Sequence, residues 1–111
     1  MRICIQHDYP NNKCTILSTL TMAKFFLITY DLKKPSQNYN ELYEAIKSCG
    51  EWQHPLESTW VVKVGTLTLV NDIYNHLRPK IDDGDLLFIV DITDQNRQGW
   101  MVKSFWEWIK S

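Results

Sequence analysis

A chain of 111 residues suffices for one domain and is too short for two. Its 44% apolar and 23% charged residues are ordinary globular composition, and a formal net charge of −1 gives no overall pull towards nucleic acid or an anionic membrane. No stretch approaches the roughly 18 to 20 apolar residues needed to cross a bilayer, and Arg2 is not followed by the apolar run of a secretory signal.

Residues 1–21 carry no clean period, and Tyr9-Pro10-Asn11-Asn12 is a loop signal. This segment reads as an N-terminal extension upstream of a natural start at Met22; a short extra strand from Cys14 to Leu20 is the alternative. Organisation begins at Met22 and runs to Thr93. Lys24 to Leu32 is an apolar run without alternation, which suits a central strand buried on both faces. Lys33, Lys34, Pro35 and Ser36 end it in a loop. Tyr39, Leu42, Tyr43 and Ile46 then recur at the spacing of an amphipathic helix, with Ser36 or Asn38 to cap its start and Gly50 for a left-handed residue past its end.

Glu51 to His54 is a short strand that stops at Pro55, and Ser58 to Val64 is a stronger one, so the two form a hairpin. Thr66 or Thr68 caps a second helix to about Lys80, with Leu69, Ile73 and Leu77 on one face. Asp82-Asp83-Gly84-Asp85 is a turn, and Leu86 to Ile92 is the last strand, apolar on both sides and expected to be buried. The order is strand, helix, strand, strand, helix, strand. The expected fold is therefore α+β of the ferredoxin-like βαββαβ type, an antiparallel four-stranded sheet with both helices on one face.

Residues 94–111 form a tail outside that unit. Trp100, Phe105, Trp106, Trp108 and Ile109 are too much apolar surface to leave in water. Two placements would cover them: packing on a second copy of the chain, the expectation here, or folding back over the chain's own sheet.

The three cysteines, Cys4, Cys14 and Cys49, form no CxxC and no even framework, so they read as reduced thiols in a cytoplasmic compartment. There is no His/Cys constellation for zinc and no Gly-rich phosphate loop. Asp31 is the residue that stands out. It directly follows a buried strand, where a carboxylate can bind a hard cation such as Mg²⁺ or can simply shape a turn. Lys33 and Lys34 lie in the same loop, as phosphate contacts or as solvated surface charge. His54 and His76 read as exposed, and Asp82, Asp83 and Asp85 as turn residues without the calcium-loop pattern.

The strand FFLITYDL with its terminal Tyr30-Asp31, the helix after it, and WQHPLESTWVV with Ser58-x-Trp60 resemble CRISPR-associated protein 2 and its relatives. Those relatives include virulence-associated protein D and, most similar of all, small bacterial proteins labelled "SinR family". The resemblance covers Met22 to about Thr93; the tryptophan-rich tail resembles the SinR-labelled group alone. It implies a ferredoxin-like homodimer and, in some members, a nuclease dependent on Mg²⁺ or Mn²⁺ that acts on RNA or DNA. In those members the aspartate ending the first strand of each subunit shares a metal at the dimer interface; the matching residue here is Asp31. In others the fold is a non-catalytic scaffold. The expectation is a homodimeric, metal-dependent endoribonuclease with Asp31 as catalytic and metal-binding residue. Lys33 and Lys34 would hold nucleic acid, Tyr30, Ser58 and Trp60 would support the site, and Trp100, Phe105, Trp106 and Trp108 would pack the dimer. The alternative is a dimeric scaffold or a toxin–antitoxin-like interaction protein.

Overall fold

The computed structural model describes residues 23–34 and 38–110. The N-terminal extension, the Met22 start, Cys4, Cys14, Pro35 and Ser36 lie outside those residues. The elements follow the expected order: β1 Ala23–Asp31, α1 Asn40–Lys47, β2 Glu51–Leu56, β3 Thr59–Gly65, α2 Val70–Leu77, a 3₁₀ turn at Arg78–Lys80, β4 Leu86–Asp91 and a final helix α3, Lys103–Lys110. The strands form one sheet in the order β2-β3-β1-β4, all neighbours antiparallel. This is the ferredoxin-like topology.

Strand alternation divides the side chains between two faces. Phe26 and Ile28 of β1, Trp60, Val62 and Val64 of β3, and Leu87 and Ile89 of β4 point to one side. There they pack with Leu42 and Ile46 of α1 and Ile73 and Leu77 of α2. Phe26, Ile28, Leu42, Ile46, Val62 and Leu77 are wholly buried. Each such side chain contributes about 1.5–3 kcal/mol through removal from water, so this layer holds most of the fold's stability.

The opposite face carries Phe25 and Val61, and α3 lies across them with Phe105 and Ile109. Within the chain the tail thus takes the second of its two placements, folding back over its own sheet. Thr93 guides the chain there: its hydroxyl accepts the Phe25 backbone N–H at 2.9 Å, just past the end of β4. Trp108 then meets Phe25 edge-on, with ring centroids 5.4 Å apart. Trp100 remains 99% exposed.

Three local expectations are corrected. Strand β2 runs through Pro55 to Leu56, with a register shift between Gln53 and Leu56. An edge strand tolerates proline because one row of its N–H groups has no ladder partner. Helix α2 is started by Asp72, whose carboxylate accepts the Leu69 N–H at 2.8 Å, not by Thr66 or Thr68, and Leu69 is exposed. Gly50 has φ 159°, nearly extended, and is needed for closeness: a Cβ there would overlap the Lys63 carbonyl oxygen of β3. At the start of α1, Asn38 serves as expected, its Oδ1 accepting the Asn40 N–H at 2.8 Å.

Candidate functional site

The C-terminal end of β1, the β2–β3 turn and the start of β4 meet at one end of the sheet. Asp31 sits there opposite Leu86. It belongs to the same alternating set as Phe25, Leu27 and Thr29, so its carboxylate lies on the face that α3 partly covers. The side chain is 63% exposed, and Lys33 Nζ lies 2.7 Å from its Oδ2. Lys34 Nζ lies 3.4 Å from Asp82 Oδ2. Both loop lysines therefore face carboxylates within the chain, in exposed pairs that hold weakly.

Asp85 anchors this loop. Its carboxylate is buried and accepts the backbone N–H groups of Lys33 and Asp82, each at 2.8 Å, and the Tyr39 hydroxyl at 3.1 Å. The Lys33 N–H, with the other donors beside it, holds the Asp85 carboxyl below the usual carboxylate range. Burial and the same hydrogen bond push the Tyr39 phenol up. By sequence Asp85 is one of three turn aspartates, and nothing in the composition of that turn separates it from Asp82 and Asp83.

The supporting residues are brought together on the helix side. Trp60 is buried, and its indole N–H donates to the Tyr30 hydroxyl at 2.9 Å. Burial pushes the Tyr30 phenol up, and that indole bond partly offsets the rise. Ser58 acts through its carbonyl, which accepts the Tyr30 N–H and the Thr29 hydroxyl. Tyr43 stacks against Trp60 with centroids 6.2 Å apart. The His54 ring lies 3.8 Å from that of Trp60 at 13°, and Trp52 is 5.2 Å from the same ring. Tyr43, His54 and Trp52 were not singled out for this role in the sequence. Cross-strand pairing of His54 with Trp60 is the cue that could have found them.

On the other sheet face, Leu86, Phe88 and Val90 of β4 are exposed, Phe88 to 65%, so the last strand is an edge strand open on one face and not the buried strand expected. They stand opposite Asp31, Thr29 and Leu27 in turn. Asp31 thus borders an uncovered apolar ridge. Among the described residues no three His, Cys, Asp or Glu side chains gather as a metal site. A single Asp31 is one hard oxygen donor and does not complete a Mg²⁺ site by itself.

A separate cleft of about 250 Å³ lies between α1 and α2, lined in part by Ser48, Cys49, Asp72 and His76. Its polar groups are engaged structurally. The Ser48 hydroxyl donates to the Ala45 carbonyl at 2.7 Å, so the His76 Nε2 contact at 2.9 Å is a donation to Ser48 and not base catalysis upon it. Burial pushes the Cys49 thiol up, away from the reactive thiolate.

Fold and site together define a ferredoxin-like α+β domain with an accessible strand-end aspartate and a C-terminal helix on its open face. The chain matches no protein family, no characterised protein and no solved structure. Among the described residues, no helix is long and apolar enough to cross a membrane.

Proposed function

We propose that the chain works as a homodimeric, metal-dependent phosphodiesterase on nucleic acid, specifically an endoribonuclease. The resemblance of Tyr30-Asp31 and Ser58-x-Trp60 to the CRISPR-associated protein 2 superfamily and its SinR-labelled members supports this reading. The observation that carries it is the position of Asp31 on the sheet face left uncovered beside Leu86, Phe88 and Val90. That apolar ridge suits a self-complementary, twofold contact. A twofold axis along it would bring the Asp31 carboxylates of two copies together. Two apposed carboxylates with water in the remaining positions fit Mg²⁺ or Mn²⁺, and such an ion activates water for attack on a phosphodiester. The exposed Lys33 ammonium beside Asp31 then becomes available for a phosphate, with Lys34 next to it.

The test is direct. Purified protein with Mg²⁺ or Mn²⁺ cleaves RNA, or DNA, and Asp31→Ala abolishes cleavage while the melting temperature holds. Equal background cleavage by both proteins removes the enzyme reading, and a solution mass near the 13.2 kDa of one chain removes the dimer. The Asp31–Lys33 pair itself favours a second reading, a non-catalytic dimeric scaffold or toxin–antitoxin-like partner, in which that carboxylate is neutralised within the chain. Dimers that never cleave would select it.

A further inference from the structure

The Lys33 ammonium lies 2.7 Å from Asp31 Oδ2, on the same carboxylate that the proposed function gives to a divalent cation. Mg²⁺ sits about 2.0–2.1 Å from a carboxylate oxygen, and two cations crowded onto one small anion repel each other. Lys33 and the divalent ion therefore compete for Asp31. Lys34 takes no part in this, because its ammonium faces Asp82 at 3.4 Å.

Both ends of the Asp31–Lys33 pair leave from anchored backbone. Asp31 is the last residue of β1 and is paired with Leu86 of β4. The Lys33 N–H donates at 2.8 Å to the buried Asp85 carboxylate, which also accepts the Asp82 N–H and the Tyr39 hydroxyl. Asp85 thus fixes where the Lys33 side chain starts, and only the lysine stem is free to swing. That side chain is half exposed, so the ammonium can leave into water without breaking the loop.

We propose that Lys33 is a tethered counter-ion: it neutralises Asp31 in the unloaded site and is exchanged for the divalent cation when the site loads. The proposal rests on the reading of Asp31 as a metal ligand and adds the regulation of that site. Two bare carboxylates brought to one twofold axis repel. An ammonium on each lets the dimer form before any ion arrives. Loading then expels both ammoniums and frees them for phosphate, so the ion and a phosphate-bearing ligand favour each other's binding by the same factor. In the scaffold reading, by contrast, the ammonium stays where it is.

The experiment is a Mn²⁺ titration of the full chain at low ionic strength, with free Mn²⁺ followed by electron paramagnetic resonance and no nucleic acid present. Lys33→Met keeps the apolar stem and loses the charge. It binds Mn²⁺ about three- to tenfold more tightly than the parent, the span expected when two exposed ion pairs no longer have to open. Roughly 0.5 M NaCl shrinks this gain. Lys33→Arg stays within about twofold of the parent, and so does Lys80→Met, which removes the same charge from the 3₁₀ turn ahead of Asp85. Melting temperatures confirm that each variant is folded. Binding that Asp31→Ala abolishes but Lys33→Met leaves unchanged or weakens overturns this inference alone. An equal gain from Lys80→Met overturns it too, since the effect is then one of general charge. Binding as tight in Asp31→Ala as in the parent, or none in the parent and Lys33→Met alike, removes the metal reading at Asp31 and this inference with it.

Discussion

The two faces of the sheet are closed to different degrees. Under α1 and α2 the seal is complete: Phe26, Ile28 and Val62 are wholly buried against Leu42, Ile46 and Leu77. On the other side α3 seals Phe25 and Val61 and stops short of β4, where Leu86, Phe88 and Val90 stay exposed. The physical reason is size. An eight-residue helix is about 12 Å long, and one such rod cannot roof four strands spaced about 4.8 Å apart. Two helices make a core, while one makes half a core and leaves a ridge. Asp31 lies beside the ridge, so the candidate site falls where burial is incomplete.

The comparison can be broken first at its strongest point. Phe26→Ala, on the sealed face, costs about 3–5 kcal/mol, read as the loss of unfolding free energy in urea. Phe105→Ala, on the half-sealed face, costs about 2–3 kcal/mol, below the usual range for such a truncation because α3 can lift away from the sheet. Equal losses at the two sites would mean that α3 is as integral as the two-helix layer.

An acid titration sharpens the contrast at the site. The Asp85 carboxyl is held below its ordinary value of 3.8 by the Lys33 and Asp82 N–H groups and the Tyr39 hydroxyl. Its contribution is fully present above that ordinary value and is lost as pH falls from 3.8 through the depressed folded value. Asp85→Asn therefore lowers the melting temperature at pH 7, and the gap from the parent closes under strong acid. A gap independent of pH would remove the carboxylate's role in anchoring the loop. The smallest stability effect belongs to the ridge: Phe88→Lys changes the unfolding free energy of the monomer itself by less than about 0.5 kcal/mol yet converts the proposed dimer to a monomer in light scattering. A large loss of stability with unchanged mass would make Phe88 a core residue and remove the ridge from the proposed contact.

Much of the helix-covered layer was legible in the chain. Tyr39, Leu42 and Ile46 recur at helical spacing, and all three are buried. The run from Lys24 to Leu32 is apolar on both sides, and the strand it forms does lie between neighbours in the sheet. Asp31 stood out because a carboxylate after an apolar strand is conspicuous. Asp85 did not, because one aspartate in an Asp-Asp-Gly-Asp turn looks like the next until backbone N–H groups are seen converging on it. The Trp52–His54–Trp60 array was hidden for a related reason: its members are neighbours across strands, and cross-strand register does not appear in a linear chain.

By itself the sequence determined the order of elements, their approximate ends and the presence of apolar surface beyond what two helices can cover. Those are local properties: period, cap and turn chemistry act within about a dozen residues. Only the tertiary structure decided which surface the tail covers, which aspartate is buried, and which rings of β2 stay open. Each of those depends on groups many positions apart meeting in space: Phe25 with Phe105, Lys33 with Asp85, and Trp60 with Tyr30. Such contacts follow from packing one layer against another, and the volume left uncovered is settled only when all the layers are in place.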